Sequence, residues 1–177
     1  MLAIAELLDR PLPSDDDVLS LGADVPVCLH GCKQGSAIRM SGIGETLSDL
    51  PKTPALSIVL VNPKFGVSTP AIFKSLTSKN NPPLSAPNDI VDQAAPFTGW
   101  INDCRNDLQP PAIVHCEEVS TCLDALTNCN GSLVARMSGS GATCFGLFET
   151  GEDAKRAADK LQTEHSDWWI VATKLAG

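Results

Sequence analysis

The apolar positions of this chain change character at the stretch Pro51-Lys52-Thr53-Pro54. Ahead of it the apolar runs are short and interrupted. Leu2 to Leu8 reads as the end of a helix stopped by Pro11 and Pro13. Ser14 followed by Asp15, Asp16 and Asp17 reads as an N-cap with an acidic first turn, opening a short helix through Leu21. The runs Val25 to Gly31 (VPVCLHG) and Ser36 to Leu50 (SAIRMSGIGETLSDL) have strand character, with Gly42, Gly44 and an ordering carboxylate at Glu45 as hairpin chemistry. Residues 51–54 are the predicted linker.

Beyond the linker the runs reach the length of full elements. Leu56 to Pro63 is a continuous apolar strand, and Ser68-Thr69 caps a helix with Pro70 at its first position. Residues 80–100 carry Pro82, Pro83, Pro87 and Pro96 and read as an irregular loop. After Pro110-Pro111 a long helix is predicted, because Ala112, Cys116, Val119, Leu123 and Leu126 recur at alternating steps of four and three, and Asn130-Gly131 stops it. Two strands, SLVARM and ATCFGLF, flank the loop Ser138-Gly139-Ser140-Gly141. A helix with Ala154, Ala157, Ala158 and Leu161 on one face leads to a last strand, WWIVATKL. The order strand, helix, helix, strand, strand, helix, strand predicts an α+β layer with helices on one face of a largely antiparallel sheet. Two regions follow, residues 1–54 and residues 55–177.

Composition narrows the class. With 177 residues, 43% of them hydrophobic, the chain can bury a core, and no apolar run approaches the roughly 20 residues of a membrane span. The first residues have neither a basic segment nor a small-residue cleavage site, so the sequence reads as cytoplasmic. A net charge of −8, with scattered Lys and Arg, argues against a nucleic-acid partner. The seven cysteines form no Cys-x-x-Cys pair and read as reduced, mostly buried thiols. Cys122 and Cys129, read as sharing one helix, stand about 10 Å apart along its axis and cannot be bridged. His115-Cys116-Glu117 lacks zinc spacing and a second ligand cluster, so no metal site is assigned.

The chemistry turns on Ser138 to Gly141. Taken alone, Gly-Ser-Gly between two strands is ordinary hairpin material, while successive N–H groups in such a loop also form a nest for an anion. Read together, Gly22-Ala23-Asp24-Val25-Pro26, Gly42-Ile43-Gly44-Glu45, the run Val59 to Phe73, Arg105-Asn106-Asp107-Leu108 and Ser138-Gly139-Ser140-Gly141-Ala142-Thr143 resemble the 4-diphosphocytidyl-2-C-methyl-D-erythritol kinase family of the GHMP superfamily. The resemblance runs from about Leu2 to the end. It implies the remnant of an N-terminal α/β domain (1–54) followed by a ferredoxin-like C-terminal domain (55–177). The family also carries an N-terminal Lys-Asn pair, a tyrosine that stacks on cytosine and a Gly/Ser-rich loop for the ATP phosphates. This sequence has no tyrosine and no such loop, so it reads as the C-terminal part of such a kinase, expected to be inactive alone.

The resemblance also implies residue roles. Asp24 matches the catalytic aspartate, which accepts or orients the substrate hydroxyl proton. Its other reading is an acidic residue in a Gly-Pro turn. Thr69 matches a substrate-side threonine beside that aspartate, or is simply a helix cap. Phe73 matches the aromatic that covers one face of the cytosine ring, or packs in the core. Gly139, Ser140 and Gly141 match the glycine motif near the diphosphate, and Asn106 and Asp107 are given a structural role. ATP is the implied donor, Mg2+ the implied metal, and the cytidine diphosphate of methylerythritol the implied substrate. The competing readings are a non-catalytic binding protein and a kinase for another small alcohol such as homoserine or mevalonate.

Overall fold

The computed structural model describes residues 1–34, 37–85 and 93–175, which divide into two compact units, Met1–Thr53 and Pro54–Leu175.

The first unit holds α1 (Leu2–Leu7), α2 (Asp15–Ser20), α3 (Val25–Gln34) and a hairpin of β1 (Ile38–Ser41) and β2 (Thr46–Asp49). At the start of α2 the Ser14 hydroxyl accepts from the Asp17 N–H at 3.2 Å and donates to the Asp17 carboxylate at 2.7 Å, a reciprocal cap. The strand expected at Val25 to Gly31 is a helix. Pro26 falls in its first turn, where no N–H is needed, and the Asp24 carbonyl accepts the first helical bond from Cys28 N–H at 3.1 Å.

The second unit is built on four antiparallel strands in the order β4-β5-β3-β6: β3 (Ser57–Asn62), β4 (Ser132–Met137), β5 (Cys144–Phe148) and β6 (Trp169–Lys174). Central β3 pairs with β5 and β6, setting Val59 opposite Gly146 and Ala172. With α7 (Glu118–Thr127) and α8 (Gly151–Glu164) as crossovers this is a ferredoxin-like topology, and the α+β class holds. Val59, Val61, Cys144 and Phe148 face α6 (Gln109–His115), α7 and α8 in the main core with Val119, Leu126 and Leu161.

Four expectations change here. Helices cover both faces of the sheet, because α5 (Ala94–Asp103) sets Phe97 against Leu56, Val134 and Leu147 on the side opposite the main core. That helix lies inside the stretch read as irregular; Pro96 sits in its first turn and is compatible with it, whereas Pro87 lies outside the described residues. The long helix after Pro110-Pro111 is broken at Cys116, whose extended backbone (φ −152°) separates α6 from α7, and the inward stripe of Ala112, Cys116, Val119 and Leu126 runs across the break. Cys129 lies beyond the end of α7, so it does not share a helix with Cys122 in the sense expected. Cys122 is instead buried in the core, where its interaction with Cys144 together with burial pushes its thiol well above the ordinary range.

Candidate active site

The residues singled out in the second unit converge on the β4–β5 connection. The strands close through Ser138 N–H donating to Thr143 O at 2.9 Å and Gly141 N–H donating to Ser138 O at 3.0 Å. Gly141 has φ +89°, a conformation that favours glycine, and a Cβ there would press on the Met137 sulfur at 2.9 Å. Gly139 also has positive φ, +53°, and nothing lies within 4 Å of where a Cβ would stand. Among the described residues the N–H groups of Gly139 and Ser140 donate to no other protein group.

Thr69 reaches this loop directly. It is the first residue of α4 (Thr69–Lys74), and Ser68 rather than Thr69 occupies the cap position. Freed from capping, the Thr69 hydroxyl pairs with the Ser140 hydroxyl at 2.8 Å across 71 residues of sequence. Asn62, at the end of β3, donates to the Thr143 hydroxyl at 2.9 Å and accepts from Lys64 N–H at 2.8 Å, tying the other side of the loop to the central strand.

Phe73 lies one turn along α4 from Thr69 and is 49% exposed, so it is not a core residue. It lines a cleft of about 430 Å³ with Lys79, Arg105, Asn106, Asp107 and Gly139. Polar groups on the cleft wall are cross-linked: Arg105 pairs with Asp107 at 3.0 Å, Asn81 donates to Asp107 at 2.8 Å, and Arg105 also donates to the Pro82 carbonyl. An exposed aromatic face, fixed amides and charges, and a glycine loop with unclaimed N–H groups can hold a flat heterocycle carrying an anionic group.

Asp24 belongs to the first unit and is exposed at the start of α3. Its position depends on the hairpin turn. Gly44 (φ +106°) is buried against the Ala23 carbonyl, and any side chain at 44 would collide with it. The Glu45 carboxylate accepts from Ile43 N–H at 2.6 Å and holds the turn closed, the role expected of it. Read by itself, Gly42-Ile43-Gly44-Glu45 looks like ordinary hairpin material; the approach of Gly44 to Ala23 gives it a second purpose.

The sequence reading missed the Thr69–Ser140 pair and the reach of Asn106, which donates to two carbonyls of the loop. Neither has a local signal, since each joins residues more than thirty positions apart. His115 and Cys116 are engaged elsewhere, His115 Nε2 with the Ser75 hydroxyl at 2.9 Å and the Cys116 thiol with Glu118 at 3.2 Å. Among the described residues no group of three His, Cys, Asp or Glu side chains could hold a metal ion, and no helix is long and apolar enough to cross a membrane.

Residues 97–167 match the family model described as "GHMP kinases C terminal". Those residues carry a GHMP kinase C-terminal domain. It is 48% identical over 173 residues to a protein of Dinoroseobacter shibae named 4-diphosphocytidyl-2-C-methyl-D-erythritol kinase, covering 97% of this chain and 58% of that one. A protein of the same name from Cereibacter sphaeroides is 47% identical over 179 residues, covering 99% and 62%. The chain thus spans about three fifths of the length of the curated relatives it matches. A crystal structure of 4-(cytidine 5'-diphospho)-2C-methyl-D-erythritol kinase superposes with a TM-score of 0.71 at 28% identity, over 99% of this chain and 62% of that one. A homoserine kinase from Cytophaga hutchinsonii, at 15% identity and a TM-score of 0.62 over 83% of this chain and 50% of that one, shares the fold.

Proposed function

We propose that this GHMP kinase chain supplies the substrate side and the catalytic aspartate of an enzyme that phosphorylates the 2-hydroxyl of 4-diphosphocytidyl-2-C-methyl-D-erythritol with ATP, in non-mevalonate isoprenoid precursor synthesis. The observation that carries the reading is the half-exposed Phe73 on the same cleft as Gly139. The identity to kinases of that name over nearly the whole chain supports it.

In this reading Phe73 stacks on the cytosine, and Thr69 and Ser140 hold the loop beside the diphosphate. The N–H groups of Gly139 and Ser140 meet a phosphate oxygen. Asp24 takes or orients the proton of the attacking hydroxyl, a role suited to an exposed carboxylate at a helix start. Phosphoryl transfer asks the protein chiefly for positioning and charge compensation, and a fixed loop of N–H donors supplies both. ATP, when bound, supplies the transferred phosphoryl group, and the open space before Gly139 fits an anionic oxygen. Mg2+, when bound, would shield the phosphates, which commonly take the place of protein ligands, and no described side chain is assigned to it. Seven cysteines without a paired spacing suit a reducing compartment, and we assign the cytoplasm.

A second reading, a kinase for another small alcohol, is favoured only by the shared fold with homoserine kinase. Thermal-shift measurements on the 177-residue chain separate the two. The cytidine substrate should raise the melting temperature, and homoserine and mevalonate should leave it unchanged. Stabilisation by homoserine or mevalonate alone would overturn the assignment.

A further inference from the structure

Asn106 stands in the turn before α6 and uses its side chain fully. Its Oδ1 accepts from Leu108 N–H at 3.0 Å, while Nδ2 donates to Met137 O at 3.1 Å and to Gly139 O at 2.9 Å. Its own carbonyl accepts from Gln109 N–H at 3.0 Å, and the Gln109 side chain in turn accepts from Met137 N–H at 3.3 Å. The start of α6 is thereby joined to the end of β4 and the loop after it by three bonds from two helix-entry side chains, Asn106 and Gln109.

We infer that Asn106 is a positioning residue that aims the Ser140 N–H at an anionic group of the substrate. The reason lies in the peptide plane. The Gly139 carbonyl and the Ser140 N–H belong to one peptide unit, and in a trans peptide they point in opposite directions. Pinning Gly139 O to Asn106 therefore fixes the direction of Ser140 N–H, which no described protein group accepts. The same holds two peptides earlier: Met137 O is pinned to Asn106, and Ser138 N–H points the other way, to Thr143 O. Glycine at 139 needs this restraint, because without a side chain its backbone samples many conformations. Asn106 also occupies the two carbonyl oxygens that would otherwise present negative charge beside an incoming anion.

The inference rests on the reading of residues 139–141 as an anion contact. Its test uses the isotope-labelled 177-residue chain, observed by amide resonances and titrated with inorganic pyrophosphate and, separately, with cytidine. In the unaltered chain pyrophosphate should move the Gly139 and Ser140 amides. Asn106→Ala should shift those amides before any ligand is added and weaken pyrophosphate about tenfold, with cytidine affinity within about twofold. A purely structural role would lower thermal stability but change both affinities alike. Should Asn106→Ala not fold, Asn106→Asp keeps the acceptor for Leu108 and loses both donors. It should show the same selective loss at about 0.5 M salt, where repulsion by the added carboxylate is screened. Unchanged pyrophosphate affinity in the variants would overturn the role of Asn106 and leave the kinase reading standing. Cytidine binding without any pyrophosphate response in the unaltered chain would instead remove the anion contact, and this inference with it.

Discussion

Residues 54–175 surround β3 with fully shielded side chains on one face, among them Val59, Val61, Ile72, Val119, Leu126 and Leu161, and a second cluster at Phe97 on the other. In residues 1–53, among the described residues, Val18 is the one buried hydrophobic side chain, while Leu7 is 83% and Ile43 75% exposed. A hollow of about 400 Å³ lined by Leu12, Val18, Leu19, Leu29 and Leu47 stands where a small domain would keep its core. The difference separates two ways of holding a functional residue. Phe73 and the glycine loop are fixed by elements packed on a sheet, whereas Asp24 is fixed by backbone devices: Pro26 in a helix's first turn, a glycine against Ala23 and a carboxylate that closes a hairpin.

Truncating side chains should expose this contrast most strongly. Leu126→Ala leaves a cavity in the main core and should cost about 3 to 5 kcal/mol in denaturant unfolding. Leu7→Ala, on a helix with no buried residue, should cost less than about 0.5 kcal/mol. Equal costs would mean that the first unit has a core the described contacts do not reveal.

Next in size is Phe73→Ala. A base-aromatic stack is worth about 1 to 3 kcal/mol, so affinity for the cytidine substrate should fall by that amount, with unfolding stability nearly unchanged. A variant destabilised as much as Leu126→Ala would return Phe73 to the core. The helix caps offer a finer comparison. Ser14 caps α2 and Thr150 caps α8 through the same reciprocal pattern with the aspartate three residues on. Each hydroxyl should contribute about 1 kcal/mol to its helix, so Thr150→Ala should be felt in global unfolding. Ser14→Ala should appear mainly as faster amide exchange confined to α2.

The smallest effect is a pH dependence. The Thr150 hydroxyl, and then Arg156, hold the Asp153 carboxyl below the usual carboxylate range. A depressed folded value means that the contribution is present above the unfolded value and fades as pH falls through the folded one. Stability of the second unit should therefore decline below about pH 4, and Asp153→Asn should remove that part of the slope. An unchanged acid limb would show that the cap does not depend on the charge.

Much of this was legible in the sequence, and the rest was not for identifiable reasons. The strand at Leu56 to Pro63 and the helix carrying Ala154, Ala157 and Leu161 announce themselves, because one is a continuous apolar run and the other keeps a clean helical period. Val25 to Gly31 misled because Val, Pro and Val suggest a strand, while Pro26 is equally at home in a helix's first turn. Helix α5 was obscured by the prolines around it. The seam between α6 and α7 was hidden because the inward stripe keeps its spacing across a kink of one extended residue. In the site, the glycine loop and Phe73 were nameable from short motifs. The Thr69–Ser140 pair and the Asn106 clamp were not, because they exist only once β4, α4 and the turn before α6 are brought together.

The central claim is that Phe73 and the loop Gly139–Gly141 form one site for a cytidine nucleotide and its diphosphate. It is tested most directly by titrating 4-diphosphocytidyl-2-C-methyl-D-erythritol into the isotope-labelled chain and following its resonances. The account predicts concerted saturable shifts at Gly139, Ser140, Gly141 and the Phe73 ring, with a single dissociation constant and no response to homoserine. Shifts confined to other parts of the chain, or separate constants for the loop and for Phe73, would contradict it.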